Sequence, residues 1–429
     1  MSIMGQTLAE KLLSAKVGRT VEAGELVVCP VDVCMAHDGN RPLVTDVFVR
    51  LGAERVFDPE RIKFVFDHAP SSHIPLAAQV QRDMCTFARE QGIEVIEVGE
   101  GICHQVLPER GHVVPGDVVV GTDSHTTTLG AFHAFATGVG STDLAVVMKT
   151  GRIWLKVPSS VRVILRGRLR AGVYAKDVAL ALLRALTANG ATYKALEFDG
   201  PALAHLGVGE RMTLANLAME MGAKAALFPC DAVLTEWLRQ RPTRRPWQVF
   251  TPDPDARYDR VVELDLDQLE PLVAAPHRPD NVHPLKAYAG LPVQVAIIGT
   301  CVNGRYEDLR EAARILRGRR VAKGVRLYVT PASREVYRRC LAEGVIADLM
   351  EAGAVIGVPG CSGCTAASGF GLPAPGERVI SSGNRNFKGR LGTPEAEVFL
   401  ASPAAVATAA LTGCITDPRT VLREEAMAR

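Results

Sequence analysis

The run "VQVAIIGTCVNGR" (Val293–Arg305) decides the reading of this chain. Its first half, Val293–Gly299, is almost wholly apolar and rich in valine and isoleucine, the pattern of a strand buried on both faces of a parallel sheet. It then stops at a glycine and gives way at once to the polar, reactive stretch "TCVNGR", which carries Cys301. Four more runs behave alike: "IKFVF" (Ile62–Phe66), "DVVVG" (Asp117–Gly121), "AVIGV" (Ala354–Val358) and "RVIS" (Arg378–Ser381). The residues that follow them are "DHAPSSH", "TDSHTTT", "PGCSGC" and "SGNRNFKGR". In open α/β sheets ligands bind beyond the carboxyl ends of the strands, so five reactive loops after five buried strands predict one cleft.

Between the strands lie helical patterns: an amphipathic N-terminal stretch "MSIMGQTLAEKLLSAKVG", then Ala77–Gln91, Ala175–Gly190 with a glycine stop, and Arg334–Gly344 behind Ser333 as N-cap. The proline- and arginine-rich Arg239–Asp259 reads as a surface excursion flanking the cleft, and Ala274–Gly290 as an interdomain linker. At 429 residues the chain is expected to form two to four domains. With 49 basic against 47 acidic side chains, it lacks the charge excess of a nucleic-acid binder. No secretory pattern and no span of about 18 uncharged apolar residues occurs, so a cytoplasmic protein without a membrane crossing is expected.

Ten cysteines in such a chain point to thiols or metal ligands rather than a disulfide framework. Cys29, Cys85, Cys230, Cys340 and Cys414 sit among apolar neighbours and read as structural. Cys361 and Cys364, three apart on a glycine-rich turn, suit a disulfide, a zinc ion or an iron–sulfur cluster. Cys301 adds a third thiol in the same kind of loop. Three thiolates suit zinc only if a histidine completes the set, whereas they suit a four-iron cluster with one iron open. Asp67–His68, Asp123–Ser124–His125 and His104 offer groups for proton movement, while Arg385 and Arg390 offer forks for carboxylates, with Asn384 beside them. His112 and His205 read as surface or internally satisfied residues.

Taken together, "DHAPSS", "GEGICHQV", "VGTDSHTTTLGAFHAFATGVGSTD", "IGTCVNGRYEDLR", "PGCSGC" and "GNRNFKGR" resemble the aconitase superfamily. Length and spacing are similar to the large subunits of its two-chain isopropylmalate isomerases and homoaconitases. The resemblance implies an α/β fold of three aconitase-like domains built on parallel or mixed sheets, here 1–157, 158–285 and 286–429, with the cleft at their interface. It implies a hydro-lyase that moves a hydroxyl by dehydration and rehydration, with one [4Fe–4S] cluster per subunit on Cys301, Cys361 and Cys364. Acid/base and hydrogen-bonding roles fall by resemblance on Asp67, His68, His104, Asp123, Ser124, His125 and Glu197. Substrate-side and cluster-side roles fall on His37, Asp38, Asn303, Asn384, Arg385 and Arg390.

The resemblance also implies a small subunit carrying the swivelling domain, since nothing after "LTGCITDPRTVLREEAMAR" encodes it, and a small hydroxy-dicarboxylate as substrate. An isopropylmalate-type acid is the first expectation; a homoaconitate, dimethylmalate or citramalate type comes next. A cluster-sensing RNA-binding relative is the non-enzyme alternative. Two departures from the family pattern stand out: Val302 where a threonine is usual, and Ser362–Gly363 where Gly-Pro is usual.

Overall fold

The computed structural model of the chain describes residues 5–39, 43–70 and 74–427. The first sheet is wholly parallel, with strands in the order Glu94–Ile96, Ile62–Val65, Val33–His37, Val118–Gly121 and Phe135–Gly138. A second parallel sheet runs Ala225–Leu227, Ala195–Asp199, Ser160–Arg166, Arg260–Asp265. The third and largest has five parallel strands, Glu397–Leu400, Arg378–Ser381, Val295–Ile298, Arg326–Val329 and Val355–Ile356, extended at one edge by antiparallel Leu272–Ala274 and Val282–Pro284. A small antiparallel ribbon pairs Leu26–Pro30 with Arg152–Lys156. All five runs read from sequence are strands of the first or third sheet. The central strand of the first, Val33–His37, is buried at every position and was not anticipated; it carries His37 to the same end as its neighbours.

Local chemistry explains the helix ends. Thr7 caps Leu8–Val17 reciprocally with Glu10, and Gly18 closes it in the left-handed conformation. Ser333 caps Arg334–Ala342 through the Val336 N–H, at 3.2 Å. The helix Ala175–Leu186 stops before its anticipated glycine, because Thr187 already turns to φ 63°.

Two loop expectations need correction. Arg239–Asp259 does not flank the reactive loops: Arg245 donates to Asp117 (2.6 Å) and Gln248 N to the Pro115 carbonyl (3.1 Å), at the start of strand Val118–Gly121. The reactive loop leaves the other end of that strand, roughly 13 Å away at 3.3 Å per residue. Ala274–Gly290 is not a free linker, since Leu272–Ala274 and Val282–Pro284 are hydrogen-bonded into the third sheet. Among the described residues no helix is long and apolar enough to cross a membrane.

Candidate active site

The loop after Val295–Ile298 is closed tightly by a bridge between Gly299 and Asn303, and Thr300 takes φ 66° to make the turn. A β-branched residue there is strained, and such strain persists only where surrounding contacts over-determine it. Arg305 supplies those contacts: buried, it donates Nη1 to the Val302 carbonyl (2.6 Å) and Nη2 to the Cys301 carbonyl (2.8 Å). Cys361 is anchored from the other sheet by its N–H on the Asp67 carbonyl, at 2.7 Å. Gly360 makes that approach possible, because a Cβ there would lie 2.7 Å from Pro70 Cγ and 3.0 Å from the Asp67 oxygen.

These anchors bring the three thiols together, with Cys361 close enough to shift the titration of both Cys301 and Cys364. Cys301 Sγ accepts from Asn216 Nδ2 (3.1 Å) and Asn384 Nδ2 (3.3 Å), and Cys364 Sγ from Arg390 Nη2 (3.0 Å). The neighbouring Cys361 thiol, then the nearby imidazoles of His125 and His104, hold the Cys301 pKa well below the usual thiol range. Cys361 and then Arg390 bring Cys364 down to about 6. Cys361 is pushed the other way, well above the usual thiol range, first by Cys301 and then by Cys364, so it would release a proton on binding a metal. Ser362 Oγ, between Cys361 and Cys364 in sequence, and Arg390 Nε are buried donors without a partner among the described residues. Donors of this kind suit the sulfides of an iron–sulfur cluster better than a closed zinc site.

Beside the sulfurs lies a chain of imidazoles and carboxylates. His68 Nδ1 sits 2.7 Å from Asp67 Oδ1 and its Nε2 3.1 Å from Asp123 Oδ2. Burial opposes its charge, but the two carboxylates outweigh this and hold its pKa well above the imidazole range. Asp67 is fixed in turn by the Cys103 N–H, at 2.8 Å. Asp123 Oδ1 meets His104 Nε2 at 2.9 Å and the His125 N–H at 2.6 Å. His37 stacks on His68 at 3.8 Å; burial and then that cation press its own pKa down to about 4, so it is neutral. Asp38 accepts from His68 N (3.0 Å) and Gln81 Nε2 (2.8 Å). His37, Asp38, Asp67 and His68 have ligand atoms within 4.8 Å of one another. With both His68 nitrogens facing carboxylates and both Asp38 oxygens holding N–H groups, the cluster is built to hold protons rather than a metal ion.

On the far side Arg385 donates Nε to Glu220 Oε1 (2.7 Å) and Nη2 to Ser124 Oγ (3.1 Å), while the same Glu220 oxygen meets His125 Nε2 at 2.8 Å. Burial opposes the His125 cation, yet the Cys301 thiolate, Asp123 and Glu220 raise its pKa to about 10.

The structure thus gathers Cys301, Cys361, Cys364, His37, Asp38, Asp67, His68, His104, Asp123, Ser124, His125, Asn384, Arg385 and Arg390. It does not gather Glu197. That carboxylate accepts from Leu8 N (3.0 Å), Ala9 N (2.9 Å), Ser160 Oγ (2.7 Å) and Tyr258 Oη (3.1 Å), and so pins the N-terminal helix to the second sheet. The Asn303 side chain also turns aside, donating to Asp308 Oδ1 at 2.9 Å. Sequence reasoning missed Asn216 and Glu220, one turn apart on successive segments Val208–Ala218 and Met219–Met221. The available signal was their spacing of four inside the otherwise apolar "LANLAMEMG".

A profile of the aconitase family (aconitate hydratase) matches residues 10–413. The chain is 49% identical over 420 residues to the 3-isopropylmalate dehydratase large subunit 1 of Methanopyrus kandleri, covering 98% of this chain and 100% of the relative. It is also 49% identical over 428 residues to the homoaconitase large subunit of Thermus thermophilus, covering 98% and 99%. The 3-isopropylmalate dehydratase large subunit 1 of Thermotoga maritima is 46% identical over 418 residues, covering 97% and 99%. Matched from near its first helix to the end of its third sheet, and carrying this meeting of thiols, imidazoles and arginines, the chain belongs to the aconitase family.

Proposed function

We propose that the chain is the large subunit of a 3-isopropylmalate dehydratase, a hydro-lyase that isomerises a hydroxy-dicarboxylate by dehydration and rehydration with a small-subunit partner. The observation that carries this reading is the convergence of three thiols from two loops with the His68–Asp67–Asp123 network and two arginines. Cys301, Cys361 and Cys364 would hold one [4Fe–4S] cluster per subunit. When bound, a cluster on three thiolates supplies an iron without a thiolate, which acts as a Lewis acid toward the hydroxyl and a carboxylate of the substrate.

The protein's own groups divide the remaining tasks. His68, kept protonated between two carboxylates, can give its proton to the departing hydroxyl and recover it from the water that re-adds. Asp67 and Asp123 fix that ring, and the neutral His37 stacked on it limits its rotation. Arg385 and Arg390 offer N–H groups to substrate carboxylates, with Glu220 setting the direction of the Arg385 fork. The base that removes the carbon-bound proton belongs, on this reading, to the swivelling domain of the small subunit.

Homoaconitase is the second reading, favoured by equal identity to the Thermus thermophilus relative. Hydration of isopropylmaleate against cis-homoaconitate by the anaerobically reconstituted pair decides between them. Preference for isopropylmaleate supports the proposal, preference for cis-homoaconitate the second reading, and turnover of neither removes both.

A further inference from the structure

Lys176 is completely buried, at the second position of helix Ala175–Leu186. Three features make that an unfavourable place for an ammonium. It has no exposed surface, it sits in the first turn of a helix, where the dipole is positive, and among the described residues no carboxylate forms an ion pair with it. The adjacent Asp177 is engaged elsewhere, accepting from Tyr174 N (2.9 Å) and Leu272 N (2.8 Å). What Lys176 does touch is a pair of consecutive carbonyls: Ser382 O, at 2.8 Å, and Gly383 O.

Those carbonyls belong to the turn after strand Arg378–Ser381, and the next two residues are Asn384 and Arg385. Asn384 reaches Cys301 Sγ and Arg385 reaches Ser124 and Glu220. The same turn is tied to the Cys301 loop, because Ser382 Oγ accepts from Gly299 N at 3.0 Å. Two adjacent carbonyls aimed at one buried point would be costly without a cation between them.

We propose that Lys176 is a positioning residue: its ammonium clamps the Ser382–Gly383 turn, and thereby aims Asn384 at the Cys301 sulfur and Arg385 into the substrate cleft. The functional part rests on the dehydratase reading; the clamp itself does not. The cavity of about 270 Å³ that Lys176 lines with Thr213, Asn303 and Asp308 gives a small ion room to reach the position if the side chain is shortened.

The test uses the full large subunit with Lys176→Met and Lys176→Ala. Amide hydrogen exchange of the cluster-free chain should rise about tenfold in residues 381–387 and change little in the helix Ala175–Leu186. In the cluster-loaded pair KM should rise about tenfold, with a smaller loss in kcat. Ethylammonium should restore much of the KM of Lys176→Ala, whereas tetramethylammonium, which has no N–H to give the carbonyls, should not. If Lys176→Met does not fold, Lys176→Gln decides by the same exchange and KM measurements. Exchange that rises uniformly along the chain, or is unchanged in 381–387, overturns the clamp, as does an unchanged KM in a pair that turns over. A wild-type pair that turns over no substrate overturns the dehydratase reading instead, and the exchange measurement still decides the clamp.

Discussion

Two buried glutamates make opposite predictions. Glu220 joins His125 and Arg385 through one oxygen, in a pair whose side chains are 4% and 20% exposed. Glu220→Gln removes the charge and leaves two cations facing a neutral amide. Breaking a buried pair from one side costs roughly 3–5 kcal/mol. With an unfolding entropy of about 2.1 cal/mol/K per residue, 429 residues give roughly 0.9 kcal/mol/K, so Tm should fall by about 3–6 °C. Because the lost contacts orient Arg385 and His125, kcat/KM should fall at least about 100-fold, or about 2.7 kcal/mol of transition-state stabilisation.

Glu197→Gln loses charged hydrogen bonds to Leu8, Ala9, Ser160 and Tyr258, worth about 1.5–3 kcal/mol in all, and Tm should fall by about 2–3 °C. Its kcat/KM should stay within about threefold of wild type, since none of those partners faces the cleft. Thermal denaturation of the cluster-free chain and steady-state turnover of the reconstituted pair give both numbers. A cycle with Arg385→Met adds a check, as neighbours in one network should couple by about 1–3 kcal/mol. Equal loss of activity in Glu197→Gln and Glu220→Gln, or strict additivity with Arg385→Met, would refute the reasoning.

Other expectations can be checked separately. Cys361→Ser should abolish bound iron and activity while Cys85→Ser leaves both nearly intact, as measured by iron analysis and the visible absorption of anaerobic protein; equal effects would contradict the ligand assignment. Burial raises the Glu109 pKa to about 7, against about 4.3 in an unfolded chain. The folded state therefore binds the extra proton between those values, and this contribution to stability is lost as pH rises toward and through 7. Glu109→Gln should accordingly stabilise by about 1–3 kcal/mol at pH 8 and by little at pH 4.5, in denaturant titrations at the two pH values; equal effects at both would contradict the buried carboxyl. Arg245→Ala should lower stability by about 1–3 kcal/mol with kcat/KM unchanged, because Arg245 holds its strap at the sheet end away from the cleft; loss of activity would return the strap to the site.

What could be read from sequence divides along physical lines. Buried parallel strands such as Val295–Ile298 announce themselves because both faces need apolar side chains, and the loops after them are legible because their polar residues break an apolar run. Val33–His37 escaped because "VDVCMAH" mixes polar with apolar residues and does not look continuous. Leu272–Ala274 and Val282–Pro284 are too short to carry a period and are strands because they pair with each other and, through Ala274 and Leu400, with the third sheet. Glu197 and Glu220 are both buried acids in apolar surroundings. Nothing local says that one faces a helix N-terminus and the other an imidazole, because that is decided by tertiary contacts at sequence separations of 188 and 95 residues. The Lys176 clamp, bridging 206 positions, is invisible for the same reason.

The central claim is that Cys301, Cys361 and Cys364 together hold a cluster with one iron free for substrate. Iron and sulfide analysis with Mössbauer spectroscopy of anaerobically reconstituted protein, before and after adding isopropylmalate, tests it most directly. The protein should carry roughly four irons per chain, one of which changes its signal on addition of substrate and is the first lost in air. One zinc and no iron, or four irons that all ignore substrate and oxygen, would contradict it.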